Sequence, residues 1–339
     1  MLSFKNLLIN ENSSILDAIK VIDSNNHRIC FVVSSQGKLL GSITDGDIRR
    51  GMLKKIELSN NVLKICNKKP FFFKKDGPKK FDLTYDDNCI PIVDKRKKVI
   101  DVKIFKPKNN KIVSALIMAG GKGTRLYPIT KNIPKPLVKI KGESLIKSLI
   151  AKLFSNEIKD IKISIHHMHG KIKKHLKNKK NPISDKNFII ENNPLGTGGS
   201  IKLFETKHNN FFIINCDIKL NIEFSKISNF HLNQKADITV VSKQIIKKLS
   251  YGKLNIDSKF NVVSIKEKPM IINYVSTGLY IVHKKIKKLI KNNQKIDMDE
   301  IIKLAIKKKM KIVSYPLYEN WVDVGTRKEL RKFTNNKKN

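Results

Sequence analysis

A chain of 339 residues, 40% of them hydrophobic, carries enough apolar mass for more than one core, because single cores stop growing at roughly 250–300 residues. Lysine and arginine number 69 against 29 acidic residues, a formal net charge of +40. The surplus is nearly all lysine, spread along the whole chain among asparagine and isoleucine, with no arginine-rich stripe and no basic run interleaved with aromatics. That distribution argues against a specific nucleic-acid surface and for solvated faces that attract anions in a salt-sensitive way.

No apolar run reaches the roughly 18 residues that a membrane span requires. The opening Met1-Leu2-Ser3-Phe4-Lys5-Asn6 lacks the apolar stretch and cleavage site of a signal peptide. A cytoplasmic protein with no membrane insertion is expected. Cys30, Cys66, Cys89 and Cys216 lie far apart without a C-x-x-C spacing, the pattern of scattered reduced thiols.

In chain order, Ser14 caps a predicted helix over 15–23, and strands at 29–33 and 39–43 flank a Gln36-Gly37 turn. A second helix begins after Thr44-Asp45. This unit, with its fragment Gly41-Ser42-Ile43-Thr44-Asp45-Gly46-Asp47, resembles a CBS (cystathionine-β-synthase-type) module. Ile90-Pro91-Ile92-Val93-Asp94 and Val99-Ile100-Asp101-Val102 echo its paired strands within 62–105, without a closing helix or a Thr-x-x-Asp element. The resemblance implies a small α+β CBS-type domain over 1–107 with a degenerate second copy, serving regulation or dimerisation. It also implies an adenine nucleotide held through Thr44 and Asp47, and a homo-oligomer.

The polar stretch 106–111, with Pro107 and no apolar periodicity, reads as a linker. Beyond it, strands at 112–118, 161–165, 211–215 and 238–242 alternate with helices at 144–154 and 171–176. Such alternation predicts an α/β domain over 112–339, a mainly parallel sheet with helices on both faces. Residues 253–256, 262–265 and 277–282 read as hairpin or edge strands, and helices return at 284–291 and 298–307.

The chemistry sits after the first of these strands. Ala119-Gly120-Gly121-Lys122-Gly123-Thr124-Arg125-Leu126 gives a loop whose glycines turn tightly and present N–H donors to phosphate, aided by a following helix terminus. The Walker spacing does not align to it. Arg125 and Lys135 supply cations beside this loop, and Pro134 and Pro136 fix the backbone around Lys135. His166, His167 and His169 make no convincing zinc site, since adjacent residues on a strand face opposite ways.

Gly-Gly-x-Gly-Thr-Arg-Leu-x-Pro followed by Pro134-Lys135-Pro136-Leu137 resembles the opening of the sugar-phosphate nucleotidyltransferase family. Further elements follow in family order: Glu191 to Gly199, Asn215-Cys216-Asp217, Tyr251-Gly252, Glu267-Lys268-Pro269, Val275 to Tyr280, and Trp321 to Thr326. The resemblance implies a Rossmann-like, mixed and mainly parallel sheet. It also implies an enzyme that joins a nucleoside triphosphate to a sugar-1-phosphate, using Mg²⁺ and releasing pyrophosphate. By the same resemblance Leu116, Ala119, Gly120, Gly121, Gly123, Thr124, Glu191, Gly196 and Thr197 hold the nucleotide. Gly252, Glu267, Lys268 and Thr277 hold the sugar phosphate, Asp217 and Asp323 hold the metal, and Arg125, Lys135 and Asp217 carry the catalysis.

The Pro194-Leu195-Gly196-Thr197-Gly198-Gly199 form is similar to that of mannose-1-phosphate and glucosamine-1-phosphate guanylyltransferases, implying a GDP-sugar for bacterial surface glycans. A member using UTP, CTP or dTTP, and a non-catalytic regulator that binds nucleotide-sugar, remain the alternatives. With Asp323 near the end of the sequence, the β-helix acyltransferase domain that some members of the family carry is not expected.

Overall fold

The computed structural model describes residues 4–330 except 26, 76–88, 106–110, 178–182, 221 and 328. The chain divides into two compact units, residues 1–109 and 110–339. Of the expected linker, only Lys111 falls within the described residues.

The first unit opens with β1 (Leu8–Asn10), α1 (Ile15–Asn25), β2 (Ile29–Val33), β3 (Leu39–Thr44) and α2 (Asp45–Leu53). Ile15, Ala18, Ile19 and Ile22 recur at helical spacing on α1 and are buried. Strand β2 pairs in parallel with β1 and antiparallel with β3. β4 (Phe73–Lys74), β5 (Cys89–Val93) and β6 (Val99–Ile104) form a second sheet of the same order and sense. Its register repeats the first: Ile29↔Thr44 and Val33↔Leu39 recur as Cys89↔Ile104 and Val93↔Val99, with the same irregularity before the last pair. The two hairpin turns clasp each other, Leu39 N–H donating to Lys97 O at 2.9 Å and Val99 N–H to Gly37 O at 3.0 Å. Where the first copy carries Thr44, the second carries Ile104.

The second unit contains β7 (Ser114–Met118), β8 (Lys139–Ile140), β9 (Glu143–Ser144), α3 (Leu145–Ser155), β10 (Asp160–Ile165), α4 (His169–Leu176), β11 (Phe188–Ile190) and β12 (Asn210–Asn215). It continues through β13 (Ile218–Leu220), α5 (Phe224–Asn233), β14 (Ile238–Lys248), β15 (Lys253–Ile256), β16 (Val262–Lys266), β17 (Met270–His283), α6 (Met298–Lys307), β18 (Ile312–Leu317) and β19 (Trp321–Asp323). A seven-stranded sheet runs in the order β11-β10-β7-β12-β17-β14-β18. Only β17 opposes the others, so the sheet is mixed and mainly parallel. Its strands are apolar on both faces because both are covered. Ala115 and Ile117 of β7 join the core beneath α3, α4 and α5, while Leu116 and Met118 join the core beneath α6.

Among the elements that differ from the sequence reading are these two. The helix expected over 284–291 is a 3₁₀ stretch, Lys284–Leu289, with Ile286 as its buried anchor. Strand β17 begins at Met270 rather than 277, because its first half pairs only with the outer half of β14, away from the core that makes strands legible.

Candidate active site

Strands β7 and β12 end side by side, with Asn215 opposite Met118. In open α/β sheets the crevice beyond such strand ends is where ligands bind. The glycine loop leaves β7 here. Gly123 takes a left-handed φ of 68°, and a β-carbon on it would stand 2.9 Å from Lys135 Cβ. Thr130 Oγ1 donates to Gly123 O at 2.7 Å, pinning the turn. A side chain at Gly121 would meet nothing within 4 Å, so that amide edge is open. The loop leads into a single 3₁₀ turn, Thr124–Leu126, in place of the helix terminus expected from sequence. The loop therefore presents individual amides with Arg125 and Lys135 nearby, without a long helix dipole behind them.

Two carboxylates converge from distant parts of the chain. β13 and β19 form a short antiparallel ladder with Ile218 opposite Asp323, and Val324 N–H donates to Asp217 O at 2.9 Å. Asp217 and Asp323 are thereby neighbours. Lys135 Nζ pairs with Asp217 Oδ2. Asp323 Oδ1 is buried and has no hydrogen-bond partner among the described residues. Burial pushes the Asp323 carboxyl above the usual carboxylate range and the nearby Asp217 pushes further, while Lys135 and Arg125 pull the other way. A β-carbon at Gly325 would stand 2.7 Å from Asp323 Oδ1 and 3.0 Å from Arg125 Nη2, so that glycine lets the arginine approach.

Hard oxygen donors, one of them orphaned, suit a divalent cation that retains part of its water shell, as Mg²⁺ does. No group of three or more His, Cys, Asp or Glu converges among the described residues. Asp217 and Asp323 fit such an ion as two protein ligands.

The segment 191–199 is held from behind. The buried Glu191 carboxylate accepts from Ser164 Oγ at 2.5 Å and from Leu195 N–H at 2.9 Å, and it lies against Gly120. His166 Nδ1 lies 2.9 Å from Glu191 O. Thr197 donates from its amide at 2.7 Å and its hydroxyl at 3.0 Å to Asp297 Oδ1, while its Oγ1 accepts from Met298 N–H at 3.0 Å. Gly196 and Gly199 press on residues 294–297, where a β-carbon would come within 2.7 Å of Asp297 Oδ1 and 2.4 Å of Gln294 O, and one on Gly198 would come 2.4 Å from Ile301 Cδ1 and 3.1 Å from Ile296 O. Glu191 and Thr197 thus spend their polar atoms on shaping the segment. Leu116 has no exposed surface and Ala119 only 2%, so both support the loop from the core.

On the other side, a β-carbon on Gly252 would lie 3.0 Å from Glu267 Oε2, and Lys268 Nζ lies 3.8 Å from Glu267 Oε1. These three residues cluster with one another. No hydrogen bond or ion pair among the described residues joins them to Asp217 or Asp323. Thr277 is buried and donates to Val241 O at 2.8 Å, and its carbonyl accepts from Trp321 Nε1 at 3.2 Å.

Asn215 was not among the residues singled out as binding or catalytic from the sequence. Its Oδ1 is buried without a partner among the described residues, and its side chain lies over Gly278, whose built β-carbon would come 2.6 Å from Nδ2. Buried amides left unpaired are rare, and ligand sites are where they occur. The available signal was its place two residues before Asp217 at a strand end.

Residues 114–339, two-thirds of the chain, match the family model described as nucleotidyl transferase. The chain belongs to that family. Residues 4–54 match the CBS domain model. The mannose-1-phosphate guanyltransferase of Saccharomyces cerevisiae is 30% identical over 229 residues, 64% of this chain and 62% of that protein. The chain spans 60–62% of the length of the curated relatives it matches. Among solved structures, HddC from Yersinia pseudotuberculosis is 29% identical with a TM-score of 0.52, covering 66% of this chain and 98% of that one. HddC complexed with GMP-PN is 28% identical with a TM-score of 0.50 over the same shares. In the CBS domain, Thr44 and Asp47 form a reciprocal cap on α2: Thr44 N–H donates to Asp47 Oδ2 at 2.9 Å and Asp47 N–H to Thr44 Oγ1 at 3.2 Å. No helix among the described residues is long and apolar enough to cross a membrane.

Proposed function

We propose that the chain catalyses nucleotidyl transfer from a nucleoside triphosphate to a sugar-1-phosphate, releasing pyrophosphate and forming a nucleotide-sugar. The observation that carries this reading is the convergence of Asp217, Asp323, Lys135 and Arg125 beside an open glycine loop. A phosphate oxygen of the sugar phosphate forms a bond to the α-phosphorus as the bond to the β-phosphate bridge oxygen breaks. The electron pair leaves with pyrophosphate. The attacking phosphate is already ionised, so no general base or covalent nucleophile is required, and positioning with charge neutralisation dominates.

The open amide edge at Gly121 and the loop around it cradle the triphosphate. Lys135 exchanges Asp217 for phosphate when substrate arrives, and Arg125 presents its planar fork to the same charge. Asp217 and Asp323 are the ligands for Mg²⁺, which when bound supplies charge neutralisation at the reacting phosphates. Glu267 accepts from sugar hydroxyls and Lys268 grips the sugar phosphate.

The base is guanine in this reading, so the donor is GTP and the product a GDP-sugar, destined for bacterial surface glycans. Support for guanine comes from the names of the similar proteins, the guanyltransferases and the GMP-PN complex of HddC. The CBS domain holds an adenine nucleotide through Thr44 and Asp47, whose mutual cap pre-positions both side chains.

The test is pyrophosphate release from the full chain with Mg²⁺, each nucleoside triphosphate being paired with a panel of hexose-1-phosphates. Release with GTP and one sugar phosphate is the expected result. Folded protein silent across the panel refutes transfer and leaves a nucleotide-sugar-binding regulator; release with UTP, CTP or dTTP alone refutes the choice of base.

A further inference from the structure

The two hairpin turns of the first unit meet with their lysines face to face. Lys38 stands directly opposite Lys98 on an antiparallel bridge, held there by the bonds from Leu39 N–H to Lys97 O and from Val99 N–H to Gly37 O. Lys98 is laid along the other turn: a β-carbon built on Gly37 would stand 3.2 Å from its Cε. Like charges set opposite each other weaken a ladder.

Beside this clasp lies a cavity of about 830 Å³, and five cations line it: Lys38, Lys75, Lys95, Arg96 and Lys98. None of the five side chains is hydrogen-bonded or ion-paired among the described residues. Gln36 and Asp94 complete the wall. The Asp94 carboxylate is committed to its own turn, where Oδ1 accepts from Arg96 N–H at 2.9 Å and Lys98 N–H at 2.8 Å. Lys97 stays out of the cavity, its Nζ 6.0 Å from the centroid of the Phe72 ring.

We propose that this cavity binds an oligophosphate chain, two or more linked phosphates, at a site separate from the adenine nucleotide proposed at Thr44 and Asp47. Charge sets the class. Five cations facing one committed carboxylate call for an anion of several charges, and linked phosphates supply these with strong acceptors for each lysine and for the arginine fork. A single phosphate fills only a small part of such a volume and cannot reach across the five. No aromatic side chain lines the cavity, so the bases of a nucleic acid have nothing to stack on. Place separates the two sites: β3 leaves the clasp at Leu39 and reaches Thr44 only at its far end, roughly 17 Å away at the rise of a strand.

The experiment treats the full chain with a lysine-acetylating reagent at about 0.15 M salt, with tripolyphosphate, ATP, AMP or inorganic phosphate present, and reads modification residue by residue by mass spectrometry. Lys135, which the catalytic reading also sets against phosphate, is thereby scored apart from Lys38, Lys95 and Lys98. The expected result is saturable protection of these three by tripolyphosphate and by ATP, half-complete below about 100 µM. AMP and inorganic phosphate should be about 10-fold weaker or worse, and the exposed Lys54, Lys55 and Lys97 should stay reactive. Equal midpoints for tripolyphosphate and ATP identify a free chain as the ligand; a lower midpoint for ATP identifies the tail of a nucleotide. The double substitution Lys38→Gln with Lys98→Gln changes two exposed residues, so it should leave melting unchanged while raising the midpoint at Lys95 about 10-fold or more. Protection that spreads equally to Lys54, Lys55 and Lys97 is the diffuse attraction of a +40 chain and overturns the site. So does an absence of protection at about 1 mM, or a Lys95 midpoint that the double substitution does not move. AMP protecting as well as tripolyphosphate, or ATP protecting without it, overturns the choice of ligand.

Discussion

Replacing Asp323 by asparagine tests whether this carboxylate is held ready for a cation at the expense of the metal-free protein. Its Oδ1 is buried and unpaired among the described residues, and both burial and Asp217 oppose its ionisation. An unpaired buried polar group costs about 1–3 kcal/mol. Removing the charge, and adding an amide that can donate to Asp217, should therefore stabilise the metal-free chain by roughly 1–2 kcal/mol, a Tm rise of about 2–8 °C for a unit of this size. The single tryptophan, Trp321, lies two residues away on β19 and reports the local transition by fluorescence. The sign fixes the pH dependence as well. A carboxyl whose folded pKa is raised is least harmful when protonated, so the advantage of Asp323→Asn should shrink as pH falls through that raised value. With Mg²⁺ at about 100 times its Kd the unsubstituted chain should gain about 2.7 kcal/mol, and Asp323→Asn little. A metal-free Asp323→Asn chain that melts below the unsubstituted one refutes the reasoning.

Asp217→Asn or Lys135→Ala should lower kcat/KM by about 10²-fold or more in the pyrophosphate assay with the fold intact; near-normal turnover would remove that residue from the mechanism. Asn215→Leu should raise KM for the sugar phosphate by about 10-fold or more while sparing KM for the triphosphate, because Asn215 leans over Gly278, next to Thr277, a sugar-phosphate residue by the family resemblance; equal changes in both constants would assign it to the fold. His231 is buried between Thr239 Oγ1 at 2.8 Å and Asn210 Oδ1 at 3.1 Å, and burial, helped by His283, lowers its pKa from 6.5 to about 4. Its neutral form is the native one, so stability is fully present above pH 6.5 and falls on the order of 3 kcal/mol by pH 4. Denaturant melts of His231→Asn should lose that slope, and an unchanged slope would place the acid sensitivity elsewhere.

What the sequence made legible follows from contiguity. The glycine loop and Lys135 lie within one short stretch, and the buried strands read as apolar runs. Contacts made across the chain were hidden. The contact of Thr197 with Asp297 spans 100 residues and has no local signature. Thr277 was expected to face the sugar, and its hydroxyl donates to Val241 O, a contact across 36 residues that no local pattern announces. α5 escaped notice because Ser225, Ser228, Asn229 and Asn233 are weak helix formers, and packing of Phe224 and Ile227 overrides them. Asn215 lies inside the Asn215-Cys216-Asp217 element, but what marks it apart from Asp217 is a buried oxygen without a partner among the described residues.

The close seating of Gly196, Gly198 and Gly199 against residues 294–297 and Ile301 limits how the segment proposed to hold the nucleotide can change over evolutionary time. A first substitution at these glycines collides with the entry to α6, and a first substitution at Asp297 releases Thr197 before any new contact exists. The favourable order of changes is therefore paired, so single-site libraries over 191–199 should return mostly inactive chains even where a two-site combination would succeed.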